Sequence, residues 1–293
     1  MINIEQHVVP HSAGTGRPKL KAPANAADCH MHIYDSRFPQ IPSRAPVANA
    51  AVADYRLLQK RNGTTRVVVV QPRNHATHNQ VTLDAIAQLG GNARGIAVLH
   101  PTITDAELKQ LDAGGIRGIR FSLGDPATAV VSLDMVEPLA KRIAALGWHV
   151  QLHWPGGMIA ENAALLARLP CQIVIDHMGR FPPEAGIAHP AYKVILGLID
   201  KGRTWVKIAG AYLNTRIGPP SYPDATKVAQ AFVAAAPERE EQARRRPALR
   251  SPRRMGARRS YAQSHPRRQP GNSLRLCRDE VIRGSWVDPV ETA

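Results

Sequence analysis

The sequence predicts a parallel α/β fold of the (β/α)₈ barrel class, with the eighth unit missing. Two observations carry this. Seven short, β-branched apolar runs alternate with seven stretches of helical period along one chain. The glycine motifs that doubly wound sheets use for phosphate, GxGxxG after the first strand and GxxxxGK[ST] anywhere, do not occur. A complete barrel typically takes about 250 residues and would require one further strand and helix.

The strand runs are 27–35, 66–72, 94–101, 115–122, 149–154, 172–178 and 204–210. Their length and Val/Ile content suit strands buried on both faces, as parallel sheets require. Helical period occupies 51–61, 80–89, 105–113, 133–146, 160–169, 192–201 and 224–236. The fourth shows it clearly: Leu133, Val136, Leu139, Ile143 and Leu146 form one stripe, with Ser132 placed to cap its start and Gly147 its end. Gly90, Gly114 and Gly202 stop other helices in the same way.

The 293 residues are ample for a buried core, and an apolar content of 44% excludes a wholly disordered chain. No apolar run is long enough to cross a membrane, and the first 27 residues contain no secretory h-region. Cys29, Cys171 and Cys277 are too far apart for a disulfide framework or a CxxC zinc site, so the expected setting is reducing and cytoplasmic.

The charge is uneven. Residues 239–293 hold 14 Arg and no Lys against six acids, a net +8 of the chain's +15. Three segments follow: a loose arm over 1–26, a barrel domain over 27–238, and an Arg-rich tail over 239–293 that cannot bury apolar surface and is expected to be disordered.

Chemistry concentrates at the ends of predicted strands. In Asp28-Cys29-His30-Met31-His32, alternation puts Asp28, His30 and His32 on one face. Two imidazoles about 7 Å apart on one strand face can share a metal ion or a substrate. An isolated HxH is more often a hydrogen-bonded structural pair. However, His153 and His177 end the fifth and sixth strands, and barrel strands deliver their C-terminal ends to one mouth. Arg120 ends the fourth strand, where a guanidinium suits bidentate capture of a carboxylate or an internal ion pair. Arg117 points to the opposite face and reads as structural. Lys207 needs a partner inside its strand, and Tyr34 either donates a phenolic hydrogen bond or packs. His75 and His78 read as solvated loop residues, and Cys171 lies at a strand entrance, the wrong end for a nucleophile. No GxSxG elbow occurs.

The blocks DCHMHIYD, RGIRFS, GWHVQLHW, VIDHMGR and TWVKIAGAYLNT, in this order, resemble the amidohydrolase-related family of the amidohydrolase superfamily. Within it they are similar to the 2-pyrone-4,6-dicarboxylate lactonases and the sugar-acid lactone isomerases. The resemblance runs from about Ala27 to Glu238 and implies a distorted barrel acting on a carboxylated lactone. It implies catalytic roles for His30, His32 and His177, and substrate binding by Arg120; Tyr34, just past HxH, is a further substrate-binding candidate by its position alone. It leaves two cofactor states open: none, or one divalent metal, most simply zinc on His30, His32 and His153. The family's second Arg after the fourth strand is absent from Gly124-Asp125-Pro126-Ala127, which favours a different acid lactone from the pyrone dicarboxylate. The expected partners are a small carboxylated lactone and no membrane.

The family's eighth-strand G-[ST]-D-W-P-H block, with its general-base Asp, does not follow Glu238. The chain therefore reads as an impaired enzyme with an unclosed barrel, of low stability or closed by association with another copy. A non-catalytic remnant with a basic nucleic-acid-binding tail is the alternative. The tail has only Tyr261 and Trp286 as aromatic residues and no binding motif, so no specific nucleic acid is expected. Arg-rich, Lys-free sequence is what GC-rich DNA yields out of frame. Joining the last two bases of each codon to the first of the next, with allowed codons from Glu241 onward, can give a helical stretch closing on NPATLYGF, a family-like ending. We therefore expect a small deletion near Arg239 with loss of frame beyond it. Sequencing the gene across that junction checks this, and stop codons in the shifted frame would exclude it.

Overall fold

The structure, a computed structural model, describes residues 16, 18–41, 47–125 and 129–235. The expectations for most of the N-terminal arm and for the tail beyond 235 lie outside the described residues.

Seven strands form one parallel sheet in chain order: β1 (Ala27–Met31), β2 (Arg66–Val70), β3 (Ala93–Ala97), β4 (Ile116–Ser122), β5 (His149–His153), β6 (Gln172–Ile175) and β7 (Thr204–Val206). The connecting helices are α1 (Val52–Asn62), α2 (Gln80–Leu89), α3 (Asp105–Ala113), α4 (Val136–Ala144), α5 (Gly156–Glu161), α6 (Ala163–Arg168), α7 (Pro190–Asp200) and α8 (Pro223–Ala234). Neighbouring order without a reversal is barrel topology, and the described sheet is an incomplete (β/α)₈ barrel with β1 and β7 at its two edges. It curls. Lys207, the residue after β7, donates from Nζ to the Cys29 carbonyl in β1 at 3.0 Å.

Alternation divides each strand between two cores. Val67 and Val69, Ile119 and Phe121, Val150 and Leu152, and Ile173 and Ile175 face the helices, in one cluster with Val81, Ala85, Leu139, Ile143 and Ile195. On the inner face, Ala27, Cys29, Val68, Val70 and Ile96 pack together, as do Val174 and Trp205. The inner rows become polar toward the centre of the sheet. Gly118 pairs with His149, Arg120 with Gln151, and Ser122 with His153. A Cβ on Gly118 would lie 2.8 Å from the His149 ring, so that row requires a residue without one.

Three local expectations are corrected. Asp28 does not share a face with the two histidines. The register shifts between Asp28 and Met31, and Asp28 turns to α1, where its carboxylate accepts from the Tyr55 hydroxyl at 3.1 Å. Its other oxygen accepts from the His30 backbone N–H at 3.1 Å, which braces the irregularity. The fifth helical stretch starts earlier and is broken into α5 and α6, because Asn162 sits at φ −106°, ψ 23°. Ser132 turns its hydroxyl to Asp134 rather than capping α4, which is entered through a short 3₁₀ turn over Leu133–Met135.

His149 is buried and held neutral: burial first, then the charge of Lys207, lowers it to about 3. Between the unfolded value of about 6.5 and 3 the unfolded chain binds a proton that the folded chain does not, so stability is lost as pH falls through that window. Urea midpoints at pH 7.5 and pH 5 should show the parent losing about 2 kcal/mol more than His149→Leu, which lacks the group. Equal losses would refute the assignment.

Candidate active site

The polar centre of the sheet is built on Asp176, the residue after β6. It has no exposure, and its Oδ2 accepts from Arg120 Nε at 3.0 Å and from Gln151 Nε2 at 3.0 Å, with Arg120 Nη2 2.9 Å away in the same ion pair. Lys207 Nζ spends its three hydrogens on the Cys29 carbonyl (3.0 Å), Gln151 Oε1 (3.0 Å) and His30 Nδ1 (3.1 Å). Asp176 Oδ1 lies 3.5 Å from Lys207 Nζ and 3.6 Å from His30 Nδ1, without a hydrogen-bond partner among the described residues. Burial alone would raise Asp176. The adjacent Lys207 and Arg120 charges outweigh it and hold the carboxyl well below the usual carboxylate range. Two cations against one anion leave this buried cluster with an excess positive charge.

Burial, reinforced by these cations, keeps the surrounding imidazoles neutral. His30 is lowered by burial and then by Lys207, against the opposing pull of Asp176. His32 falls to about 4, by burial and then by Arg120. A neutral imidazole carries one N–H, so its partners decide which nitrogen holds it. An ammonium only donates, so His30 Nδ1 is the acceptor and Nε2 bears the proton. A carbonyl only accepts, so His32 Nδ1, 2.8 Å from the Val70 oxygen, bears the proton and Nε2 keeps its lone pair. The two rings are 5.0 Å apart and perpendicular. HxH here is a donor beside an acceptor.

The loop after β6 supplies the facing side. His177, Met178, Gly179 and Arg180 all have positive φ, at 49°, 54°, 77° and 47°. A non-glycine residue held there costs of order 1–3 kcal/mol. Backbone bonds from Met178 N to the Lys207 carbonyl and from Gly179 N to the Asp176 carbonyl, each 3.0 Å, sustain it. The result sets the His177 ring 5.3 Å from His30 and 5.4 Å from His153. His177, at about 4 through burial and against the pull of Asp176, has its Nδ1 buried without a partner among the described residues. Gly210 makes room: a Cβ there would lie 2.7 Å from that nitrogen, at a φ of +72°.

His153 is lowered to about 3 by burial and then by Arg120. Its Nε2 accepts from Arg180 NH1 at 3.0 Å, and Nδ1 donates to the Ser122 hydroxyl at 2.7 Å. Tyr34 lies 6.2 Å from the His32 ring, centroid to centroid. His30, His32, His153 and His177 therefore meet, with Tyr34 flanking them. The guanidinium of Arg120 is turned to Asp176 instead of outward, leaving Arg180 as the half-buried guanidinium beside the histidines. His75 is fully buried, bonded through Nδ1 to the Pro39 carbonyl, and not solvated. Arg117 is structural, on Asp112. Asp176 and Arg180 were overlooked in the sequence. Alternation from Val174, which faces inward with Trp205, puts Asp176 on the inner face and could have revealed it.

His30, Asp176 and His177 bring ligand atoms within 4.8 Å of one another. Two members of this set, His30 and Asp176, are already engaged and do not fit a divalent cation as they stand. His30 Nδ1 is taken by an ammonium, which puts a proton on Nε2, and the one free Asp176 oxygen faces the same ammonium. His153 Nε2 is taken by Arg180.

Residues 27–239 match the amidohydrolase family. The chain is 33% identical over 201 residues to a 2-pyrone-4,6-dicarboxylate hydrolase of Comamonas testosteroni, spanning 67% of this chain and 66% of that one. It is 30% identical over 225 residues to a D-galactarolactone isomerase of Agrobacterium fabrum, spanning 76% of each. An apo crystal structure from Agrobacterium tumefaciens superposes with a TM-score of 0.70 at 30% identity, covering 76% of this chain and 79% of that one. With the fold, the histidine-lined mouth and these matches in agreement, the chain belongs to the amidohydrolase family.

Proposed function

We propose that this chain hydrolyses a carboxylated lactone. The observation that carries the reading is the buried excess of positive charge under a pair of neutral imidazoles with opposite proton positions. Such a site attracts an anion and offers both a donor and an acceptor to a carbonyl centre. The lactone hydrolase and lactone isomerase names among its relatives supply the substrate class.

In this reading Arg180 grips the substrate carboxylate at the mouth, and Arg120 acts from beneath by neutralising Asp176. The carbonyl oxygen accepts a hydrogen bond from the His30 Nε2–H. Water lies against His32 Nε2, adds its oxygen to the carbonyl carbon and gives up a proton to that nitrogen. The tetrahedral oxyanion is held by His30 and His177. It collapses with cleavage of the ring C–O bond, and the proton on His32 passes to the departing ring oxygen. A base held near 4 abstracts a proton less effectively than one near the working pH. Lactone isomerisation uses the same groups, with a substrate hydroxyl in place of water.

The reaction suits the cytoplasm, where the buried thiols of Cys29 and Cys171 stay reduced. No helix among the described residues is long and apolar enough to cross a membrane. The β1 and β7 edges of the described sheet offer a surface on which two copies would pair. Light scattering should report a dimer or larger species, and a stable monomer would exclude this.

The full chain should open 2-pyrone-4,6-dicarboxylate or a sugar-acid lactone with release of one proton per turnover, slowed roughly 10²–10³-fold by His30→Asn. Ring exchange without proton release would identify the isomerase. A folded chain inert toward every carboxylated lactone would refute both.

A further inference from the structure

The inner face holds a cation of its own. Lys207 Nζ is 3.1 Å from His30 Nδ1 and 3.5 Å from Asp176 Oδ1, two of the three groups that could gather round a metal ion. Its remaining hydrogens go to the Cys29 carbonyl and to Gln151 Oε1, both obligatory acceptors, so nothing in its shell can take a proton from it except His30 and Asp176. The ammonium is buried at 5% side-chain exposure, and the other oxygen of Asp176 is saturated by Arg120 and Gln151.

We propose that Lys207 is a built-in substitute for a divalent metal: its ammonium stands between His30 and Asp176 and fixes His30 with Nδ1 as acceptor and Nε2 as donor. The argument covers both nitrogens of His30. Nδ1 is occupied by an N–H. Nε2 carries the proton that the occupied Nδ1 cannot, and a protonated nitrogen has no lone pair for a metal. A metal could take His30 or this Asp176 oxygen as a ligand only if Lys207 lost its proton or left the site.

The consequence is a division of labour. Lys207 supplies the fixed positive charge that a metal would give the family's mouth, but it delivers that charge through the His30 N–H rather than by direct contact with a carbonyl oxygen. Lys207 is thus a positioning residue, and its effect is visible in a proton position and in metal affinity. Because it concerns the site and not its substrate, neither readout needs turnover, and failure of the lactone assignment leaves it standing.

The first test is nitrogen NMR of the ¹⁵N-histidine-labelled full chain, with His30 assigned by loss of its signals in His30→Gln. A lone-pair Nδ1 and a protonated Nε2 are expected, and a protonated Nδ1 would overturn the proposal. The second is zinc affinity by competition with a chromogenic chelator. Lys207→Met should bind zinc about ten- to a hundredfold more tightly than the parent, while Lys207→Arg, which keeps a cation, should not gain. Equal affinity in a folded Lys207→Met, or stoichiometric zinc in the parent that His30→Gln removes, would overturn it. If Lys207→Met does not fold, the proton position in the parent decides alone.

Discussion

The buried carboxylate of Asp176, held between Arg120 and Lys207, is the constraint on which the rest of the mouth depends. An isolated carboxylate with no exposure would take up a proton, and two isolated cations in the same interior would repel each other. Together they stay ionised, and their imbalance of one positive charge adds to the effect of burial on the rings around them. The histidines are neutral because burial and these cations disfavour a further proton, and neutrality gives each ring one donor and one acceptor.

The same cluster has a mechanical role. Lys207 follows β7, Asp176 follows β6, Cys29 and His30 belong to β1, Gln151 to β5 and Arg120 to β4, so five separated segments are tied through the side chains of Lys207 and Asp176. Its bond to the Cys29 carbonyl spans the two edges of the sheet, where an incomplete barrel has no strand-to-strand hydrogen bonds among the described residues. Removing one charge from such a set leaves the others buried and unpaired, which is costlier than the net value of the cluster.

Strain is concentrated beside it. Four consecutive residues with positive φ, three of them not glycine, turn the chain sharply after β6. An ordinary turn would have been cheaper. The one observed brings His177 to the His30 ring and Arg180 to His153.

Period and composition by themselves determined the seven strands, most of the helices, and the convergence of His30, His32, His153 and His177, because strand alternation and barrel order are local rules applied repeatedly along the chain. Arg117 was legible as structural for the same reason. What only tertiary structure decided depends on partners distant in sequence. The register shift that sends Asp28 to Tyr55, the capture of Arg120 by Asp176 across 56 positions, and the reach of Lys207 to β1 across 178 leave no trace in local pattern. Nor do the proton positions of His30 and His32. Those are set by an ammonium and a carbonyl that meet the two rings only once the sheet has curled.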